Sequence, residues 1–129
     1  MRKIKRLLTI PMPWHWGLAA LILLAVQPPA WAHAFLDHSK PKVGGTVKSS
    51  PSEVKVWFTQ ELEPAFSVIE VKNARGERVT KKKAHVDKKN RKLLEIKLPK
   101  LPPGTYKVIW HVVAVDTHPT QGHFEFTIK

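Results

Sequence analysis

The stretch TYKVIWHVVAV, residues 105–115, is the longest strand candidate in this 129-residue chain and decides its fold. One parity of the stretch is wholly apolar, with Tyr106, Val108, Trp110, Val112 and Ala114, and the other parity adds Ile109, Val113 and Val115. Apolar residues on both faces are typical of a strand that is covered on each side. The stretch therefore predicts a central strand of a sheet.

Shorter strand candidates at residues 34–37, 53–58, 66–72, 92–98 and 123–129 alternate with turns rich in Gly, Pro and Asn. We expect 123–129 to pair with the central strand through a loop at 119–122. No segment after residue 32 has a helical repeat of apolar residues. This spacing predicts an all-β, antiparallel β-sandwich of about seven strands. Seven aromatic residues are expected in its core: Phe35, Trp57, Phe58, Phe66, Trp110, Phe124 and Phe126.

The first 32 residues have the pattern of a secretory signal peptide. Four basic residues follow Met1, an apolar run covers 17–26, and Ala30, Trp31 and Ala32 form an A-x-A cleavage pattern. A retained membrane anchor is the alternative, because the apolar region approaches the ~20 residues that a spanning helix needs. Proline residues 11 and 13 shorten that region. We therefore expect a signal peptide at 1–32, a single domain at 33–129, and His33 as the new N-terminus of a soluble, exported protein.

Composition limits the classes of site and partner. The chain has no cysteine, which excludes disulfides and thiolate ligands. Its formal charge is +12, of which +8 belongs to residues 33–129. Much of that charge lies in the lysine-rich run at 80–92, which has no interleaved aromatic residues for stacking on bases. We therefore expect no nucleic acid partner and interpret the run as a solvated hairpin.

Candidate metal ligands lie at both ends of the predicted domain. In an extended segment, Asp116 and His118 would point the same way. An N-terminal His33 would add two more donors, because its α-amine and its Nδ1 can close a chelate ring on one ion. Three nitrogens and one carboxylate oxygen suit Cu(II), whereas zinc prefers tetrahedral sites with cysteine or several histidines. Without His33, the Asp116 and His118 pair would be an ordinary polar hairpin end.

At this point the sequence resembles the CopC family of periplasmic copper-binding proteins, over essentially all of residues 33–129. The resemblance is carried by the following segments: His33-Ala34, Ser39-Lys40-Pro41, Val56-Trp57-Phe58-Thr59, Pro103-Gly104-Thr105-Tyr106-Lys107-Val108, and Val115-Asp116-Thr117-His118-Pro119 with Gly122 after it. It implies a Greek-key β-sandwich related to immunoglobulin and cupredoxin domains. It also implies one Cu(II) per chain, held by the N-terminal amine, His33, Asp116 and His118.

Two departures from the family bear on the site. Some members have a methionine-rich loop for Cu(I), but both methionines of this chain, Met1 and Met12, precede residue 33, so we expect no Cu(I) site. Some members place a glutamate near the metal after the strand that corresponds to 54–59. This chain has Gln60 there and Glu61 next to it, which leaves a carboxylate contribution from this loop open.

The remaining histidines are assigned more ordinary positions. His111 lies on the opposite strand parity from Asp116 and His118, so we expect it in packing or on the surface. His38 is expected on the surface, and His85 belongs to the lysine-rich hairpin. His123 is either an exposed residue at the start of a strand or a partner that orients Asp116 or His118.

Three functions remain open on the sequence alone. The leading prediction is a non-enzymatic, exported Cu(II)-binding protein for periplasmic copper sequestration, trafficking or resistance. The second is a copper-dependent oxygenase built on an N-terminal histidine, and the third is a metal-free, immunoglobulin-like interaction module. The resemblance further implies a separate inner-membrane copper transporter of the CopD type as a partner.

Overall fold

In the computed structural model, residues 33–129 are described, and they form eight strands and one short 3-10 helix. The strands are β1 Leu36–Lys40, β2 Thr46–Val47, β3 Glu53–Phe58, β4 Val68–Lys72, β5 His85–Val86, β6 Leu93–Lys97, β7 Gly104–Val113 and β8 Pro119–Ile128. The 3-10 helix, Pro64–Phe66, lies between β3 and β4. None of the described residues belongs to a helix that is long and apolar enough to cross a membrane. The signal peptide predicted at 1–32 lies outside the described residues.

The strands form two four-stranded sheets, which confirms the predicted β-sandwich. One sheet has the order β1-β3-β6-β5 and the other the order β2-β8-β7-β4. All pairs are antiparallel except β2 with β8, which is parallel. Because β2 and β5 have only two residues each, the count is eight strands instead of about seven.

The core lies between the two sheets and is built from one parity of each long strand. In β3 the buried residues are Val54, Val56 and Phe58, and in β6 they include Leu94 and Ile96. The other sheet contributes alternate residues of three strands: Ile69, Val71, Tyr106, Val108, Trp110, Val112, Phe124, Phe126 and Ile128. The period-two patterns of the sequence thus identify the buried faces.

Strand β7 is central, as predicted, but it is covered on one face only. It pairs with β8 on one side and with β4 on the other. Its outward residues Lys107 and His111 are exposed, and Ile109 and Val113 on the same face are half-buried. The second apolar parity therefore packs along the outer surface of the sheet, where neighbouring side chains cover it in part.

The turn between β7 and β8 lies at residues 114–118, and the expected loop at 119–122 is wrong. Residues 119–122 are the start of β8. A proline is compatible with the first position of a strand because no ladder donor is required there. The turn is closed by two backbone hydrogen bonds, from Thr117 N–H to Ala114 O at 2.8 Å and from Ala114 N–H to His118 O at 3.2 Å.

Three aromatic residues expected in the core lie outside it. Phe35 is 47% exposed and Phe66 is 67% exposed. Phe35 precedes β1, and Phe66 ends the 3-10 helix, so neither occupies an inward strand position. Trp57, on the outer face of β3, is half-buried and stacks on His38 with ring centroids 4.3 Å apart.

Gly122 makes room for the largest side chain of the core. It lies opposite Trp110 in the pairing of β7 with β8. A Cβ atom at Gly122 would lie 2.4 Å from Cζ2 of the Trp110 indole. Trp110 also packs edge to face against Phe58, with ring centroids 5.2 Å apart, and this contact joins the two sheets.

Substitution of Gly122→Ala should therefore destabilise the fold by about 1–3 kcal/mol, the usual cost of forcing an extra carbon into a packed site. Thermal unfolding would show this as a fall in Tm of at least about 4 °C. In a Trp110→Phe background, the same Gly122→Ala substitution should cost less stability than it does in the wild type, because the shorter ring avoids the clash. Additive effects of the two substitutions would contradict the steric explanation.

Candidate metal site

The turn at 114–118 brings the carboxylate of Asp116 and the imidazole of His118 together. Thr117, between them, has a φ of 74°, which is in the left-handed region. The Asp116 Oδ1 atom accepts a hydrogen bond of 3.2 Å from the backbone N–H of His118. The two side chains are thus neighbours because of a tight turn, and the expectation that they lie in an extended strand is wrong.

The two side chains are in contact in the described structure. Nδ1 of His118 lies 3.3 Å from Oδ2 of Asp116. Their side chains are 52% and 37% exposed, respectively. Both donor groups are therefore accessible from solvent and are held close enough to share one ion.

His33 lies beside this pair although it is 85 positions away from His118 in the sequence. The ring centroids of His33 and His118 are 4.8 Å apart, and the two planes are almost perpendicular, at 89°. Within residues 33–129 this is the one ring contact between two histidines. The three predicted ligands thus lie at the same end of the sandwich.

The short segment 33–35, called here the N-terminal arm, is fixed by hydrogen bonds to both sheets. The hydroxyl of Thr120, in β8, donates to Ala34 O at 2.6 Å. On the other side, Phe35 N–H donates to Thr59 Oγ1 at 3.0 Å and Phe35 O accepts from Thr59 N–H at 2.8 Å. Ala34 is fully buried. The arm therefore closes the end of the sandwich and presents His33 to the turn.

Thr59 and Thr120, which hold the arm, are not among the residues that the sequence predicts for the site. A threonine hydroxyl carries no signal of its own in a strand-rich sequence, because threonine is common in strands on account of its β-branched side chain. The available clue was position, since Thr120 follows His118 by two residues and Thr59 follows the strand 53–58.

The loop after β3 is hydrogen-bonded to the end of β7 and to the turn that follows it. Val115 N–H donates to Glu61 O at 3.0 Å, and Glu63 N–H donates to Val113 O at 2.8 Å. Leu62, between the two glutamates, is fully buried. The carboxylate of Glu61 lies 4.0 Å from Nη1 of Arg91. Glu61 is thus engaged with the lysine-rich hairpin, while its backbone holds the turn that carries Asp116.

The other histidines have separate surroundings. His38 contacts Asp37, with 2.7 Å between Nδ1 and Oδ2, and stacks on Trp57. His85 lies 3.3 Å from Glu95, measured from Nε2 to Oε2. His111 and His123 are exposed on the outer face of β7 and β8, where they lie opposite Gln121 and Ile109. As expected, His38 and His111 are surface residues.

The donor set fits a metal ion in part before any rearrangement. Within residues 33–129, no three imidazole, carboxylate or thiol side chains already converge on a common point. The separation of His118 Nδ1 and Asp116 Oδ2 is nevertheless compatible with one ion. The rings of His33 and His118 stand edge to face, so rotation of exposed side chains is what completes the set.

A family comparison gives this arrangement its context. The model of the CopC domain family matches residues 36–129. The chain belongs to the CopC family. It is 36% identical over 115 residues to Protein YobA of Escherichia coli K12, a match that covers 88% of this chain and 93% of that protein. It is 33% identical over 114 residues to copper transport protein CutJ of Bacillus subtilis, covering 88% of this chain and 21% of the longer protein.

Solved structures agree with the fold. The crystal structure of CopC from Methylosinus trichosporium OB3b superposes with a TM-score of 0.72 at 32% identity, covering 75% of this chain and 94% of that one. PcoC of Escherichia coli, described as a methionine-rich copper resistance protein, gives a TM-score of 0.68 at 29% identity, covering 76% of this chain and 100% of that one. In contrast to that description of PcoC, this chain has no methionine after Met12.

The left-handed conformation of Thr117 predicts a gain in stability on substitution. A β-branched residue is strained at positive φ, whereas Asn tolerates that region. Thr117→Asn should raise the unfolding free energy by about 1 kcal/mol, or Tm by about 4–8 °C. Thr117→Pro should do the opposite, because proline fixes φ near −65° and lacks the N–H that Thr117 donates to Ala114. Thermal melts of both metal-free variants test this, and a lower Tm for the asparagine variant would contradict it.

Proposed function

We propose that this protein is an exported, periplasmic Cu(II)-binding protein that serves copper sequestration, trafficking or resistance. The proposal rests above all on the contact between His33 and His118, 4.8 Å from centroid to centroid, next to the carboxylate of Asp116. Membership of the CopC family and the similarity to a protein named for copper transport support it.

The residues divide the work of holding one Cu(II) per chain. After removal of residues 1–32, the α-amine and Nδ1 of His33 would form a chelate ring. The imidazole of His118 supplies the third nitrogen, and Asp116 supplies an oxygen that offsets one of the two positive charges of the ion. An N,O donor set of this kind suits Cu(II), the divalent ion with the highest affinity in the usual order.

The same donors disfavour other ions and redox states. Soft thioether or thiolate ligands stabilise Cu(I), and residues 33–129 contain neither methionine nor cysteine. Structural zinc sites have tetrahedral geometry and usually contain cysteine or several histidines. We therefore propose Cu(II) as the bound ion and propose no Cu(I) site in this chain.

Copper binding needs no catalytic step, and we propose that the protein is not an enzyme. In a site with four protein donors, Asp116 would occupy a position that an oxygen-activating enzyme keeps open for its substrate. Exposed ligands instead allow the ion to be handed on. A separate inner-membrane transporter of the CopD type is the proposed recipient or donor.

The N-terminal amine is tested by blocking it. Protein exported with its own leader should have the mass of residues 33–129 and should bind one Cu(II) in a titration with a competing chelator. Protein with an acetyl group on the α-amine of His33 should lose more than about 100-fold in affinity, roughly 2.7 kcal/mol, because the blocked amine can no longer join the chelate ring. Unchanged affinity of the acetylated protein would exclude the amine as a ligand.

The side-chain ligands are tested by substitution. His118→Ala and Asp116→Asn should each weaken Cu(II) binding by at least about tenfold, or 1.4 kcal/mol, because each removes one donor. His123→Ala is the matched control, since His123 is an exposed histidine of β8 that lies opposite Ile109. The wild type and the control should also gain thermal stability with Cu(II), by about 2.7 kcal/mol at a free concentration of 100 Kd. Equal losses in His123→Ala and His118→Ala would refute the assignment.

A further inference from the structure

We propose that Thr59 and Thr120 are positioning residues of the metal site, which set the place of His33 by holding the N-terminal arm. This inference rests on the proposed Cu(II) site and concerns residues that do not bind the ion themselves. The observation behind it is a pair of hydroxyl contacts that tie the arm to two different sheets.

Thr120 links the two ligand-bearing segments directly. Its hydroxyl donates to Ala34 O at 2.6 Å, a short hydrogen bond that joins residues 86 positions apart. Ala34 adjoins His33, and Thr120 lies two residues after His118. A single hydrogen bond therefore fixes the distance between the backbone that carries His33 and the strand that begins just after His118.

Thr59 holds the other side of the arm. Its Oγ1 atom accepts from Phe35 N–H at 3.0 Å and also lies 3.5 Å from His33 O. The backbone N–H of Thr59 donates to Phe35 O at 2.8 Å. Because Thr59 directly follows β3, these contacts anchor the arm to the sheet that does not contain β8.

Together the two threonines fix the backbone and leave the donor side chain free. Regular pairing of β1 with β3 begins only at Leu36, so residues 33–35 depend on these contacts for their order. The buried Ala34 acts as a fixed point next to the exposed His33. Ordering a ligand before binding lowers the entropic cost of binding. With its backbone held in this way, the arm leaves the side chain of His33 free to rotate toward His118 and Asp116.

The position of the fixed point also explains the proposed processing site. Only one residue extends beyond Ala34 in a chain that begins at His33. An additional residue would displace the amine by about 3.3–3.6 Å, the length of one extended residue, while Ala34 stayed in place. The two threonines and the leader cleavage would therefore act together. They would bring the amine, the His33 ring and the His118 ring to one ion.

The test uses isosteric substitutions in protein that has been exported and verified by mass to begin at His33. Thr120→Val and Thr59→Val each keep the side-chain shape and remove the hydroxyl. We expect each to weaken Cu(II) binding about three- to tenfold, the effect of losing one ordinary hydrogen bond. The serine variants at both positions restore the hydroxyl and should bind like the wild type.

The matched control is Thr105→Val. Thr105 contacts Thr127 through the two hydroxyls, 3.2 Å apart, at the opposite end of the β7 and β8 pair. It should bind Cu(II) within about twofold of the wild type, because its hydrogen bond does not touch the arm. This control accounts for any general effect of losing a threonine hydroxyl from the sheet.

A spectroscopic readout separates positioning from stability. The valine variants should change the electron paramagnetic resonance spectrum of bound Cu(II), with fewer nitrogen couplings as the amine or the His33 ring becomes loosely held. Lower Tm together with wild-type affinity and spectrum would show a purely structural role and overturn the inference. If the wild type itself fails to bind Cu(II) tightly, the proposed function fails and this inference with it. If the wild type binds and the valine variants bind equally well, only the inference fails.

Discussion

The site depends on the pairing of β7 with β8, which runs without interruption from Gly104 opposite Ile128 to Val113 opposite Pro119. Ten paired positions in register leave no freedom in where the turn at 114–118 must fall. The inward faces of the two strands are buried, so a slip by one residue would move the whole apolar set to the solvent side. The location of Asp116 and His118 is thus set by burial of residues up to 30 Å away along the strands, at about 3.4 Å per residue.

At this end of the sandwich the backbone is held by hydrogen bonds, whereas the candidate ligand side chains are exposed. The turn is held by Glu61 and Glu63 from below, and the arm is held by Thr59 and Thr120. The imidazole and carboxylate groups themselves are open to solvent. In the proposed site, the rigid frame would limit the number of donor arrangements, and the exposed donors would allow a bound ion to leave through an exchange of ligands.

The sequence alone predicted the fold class, the central strand and the buried parity of most strands, because period-two patterns follow directly from strand geometry. It also predicted the three residues that the structure brings together. The sequence did not predict that a tight turn is what brings Asp116 and His118 together. Pro119 signals a turn and also suits the first position of a strand, so the turn was placed after it instead of before it. Phe66 was assigned to the core because a local apolar pattern does not show where a strand starts.

The hydroxyl contacts of the arm were beyond reach for a different reason. Thr120 and Ala34 are 86 residues apart, and Thr59 and Phe35 are 24 apart, so no local spacing relates them. Each contact exists only because the two sheets pack face to face and bring their ends together. The residue types of a candidate metal site can thus be read from a sequence, whereas the groups that hold those residues in place emerge from tertiary packing.

The edge strands of the two sheets affect how prone the protein is to aggregate at high concentration. An unpaired edge strand offers its free backbone N–H and C=O groups to another chain, and long apolar edge strands promote aggregation. Here two of the four edge strands, β2 and β5, have only two residues each. On the outer side of β4, Val71 O already accepts a hydrogen bond from Val79 N–H. The lysines at 81–83 and 88–89 flank β5 on both sides. Mutual repulsion between these charges should keep neighbouring molecules apart in a crowded compartment.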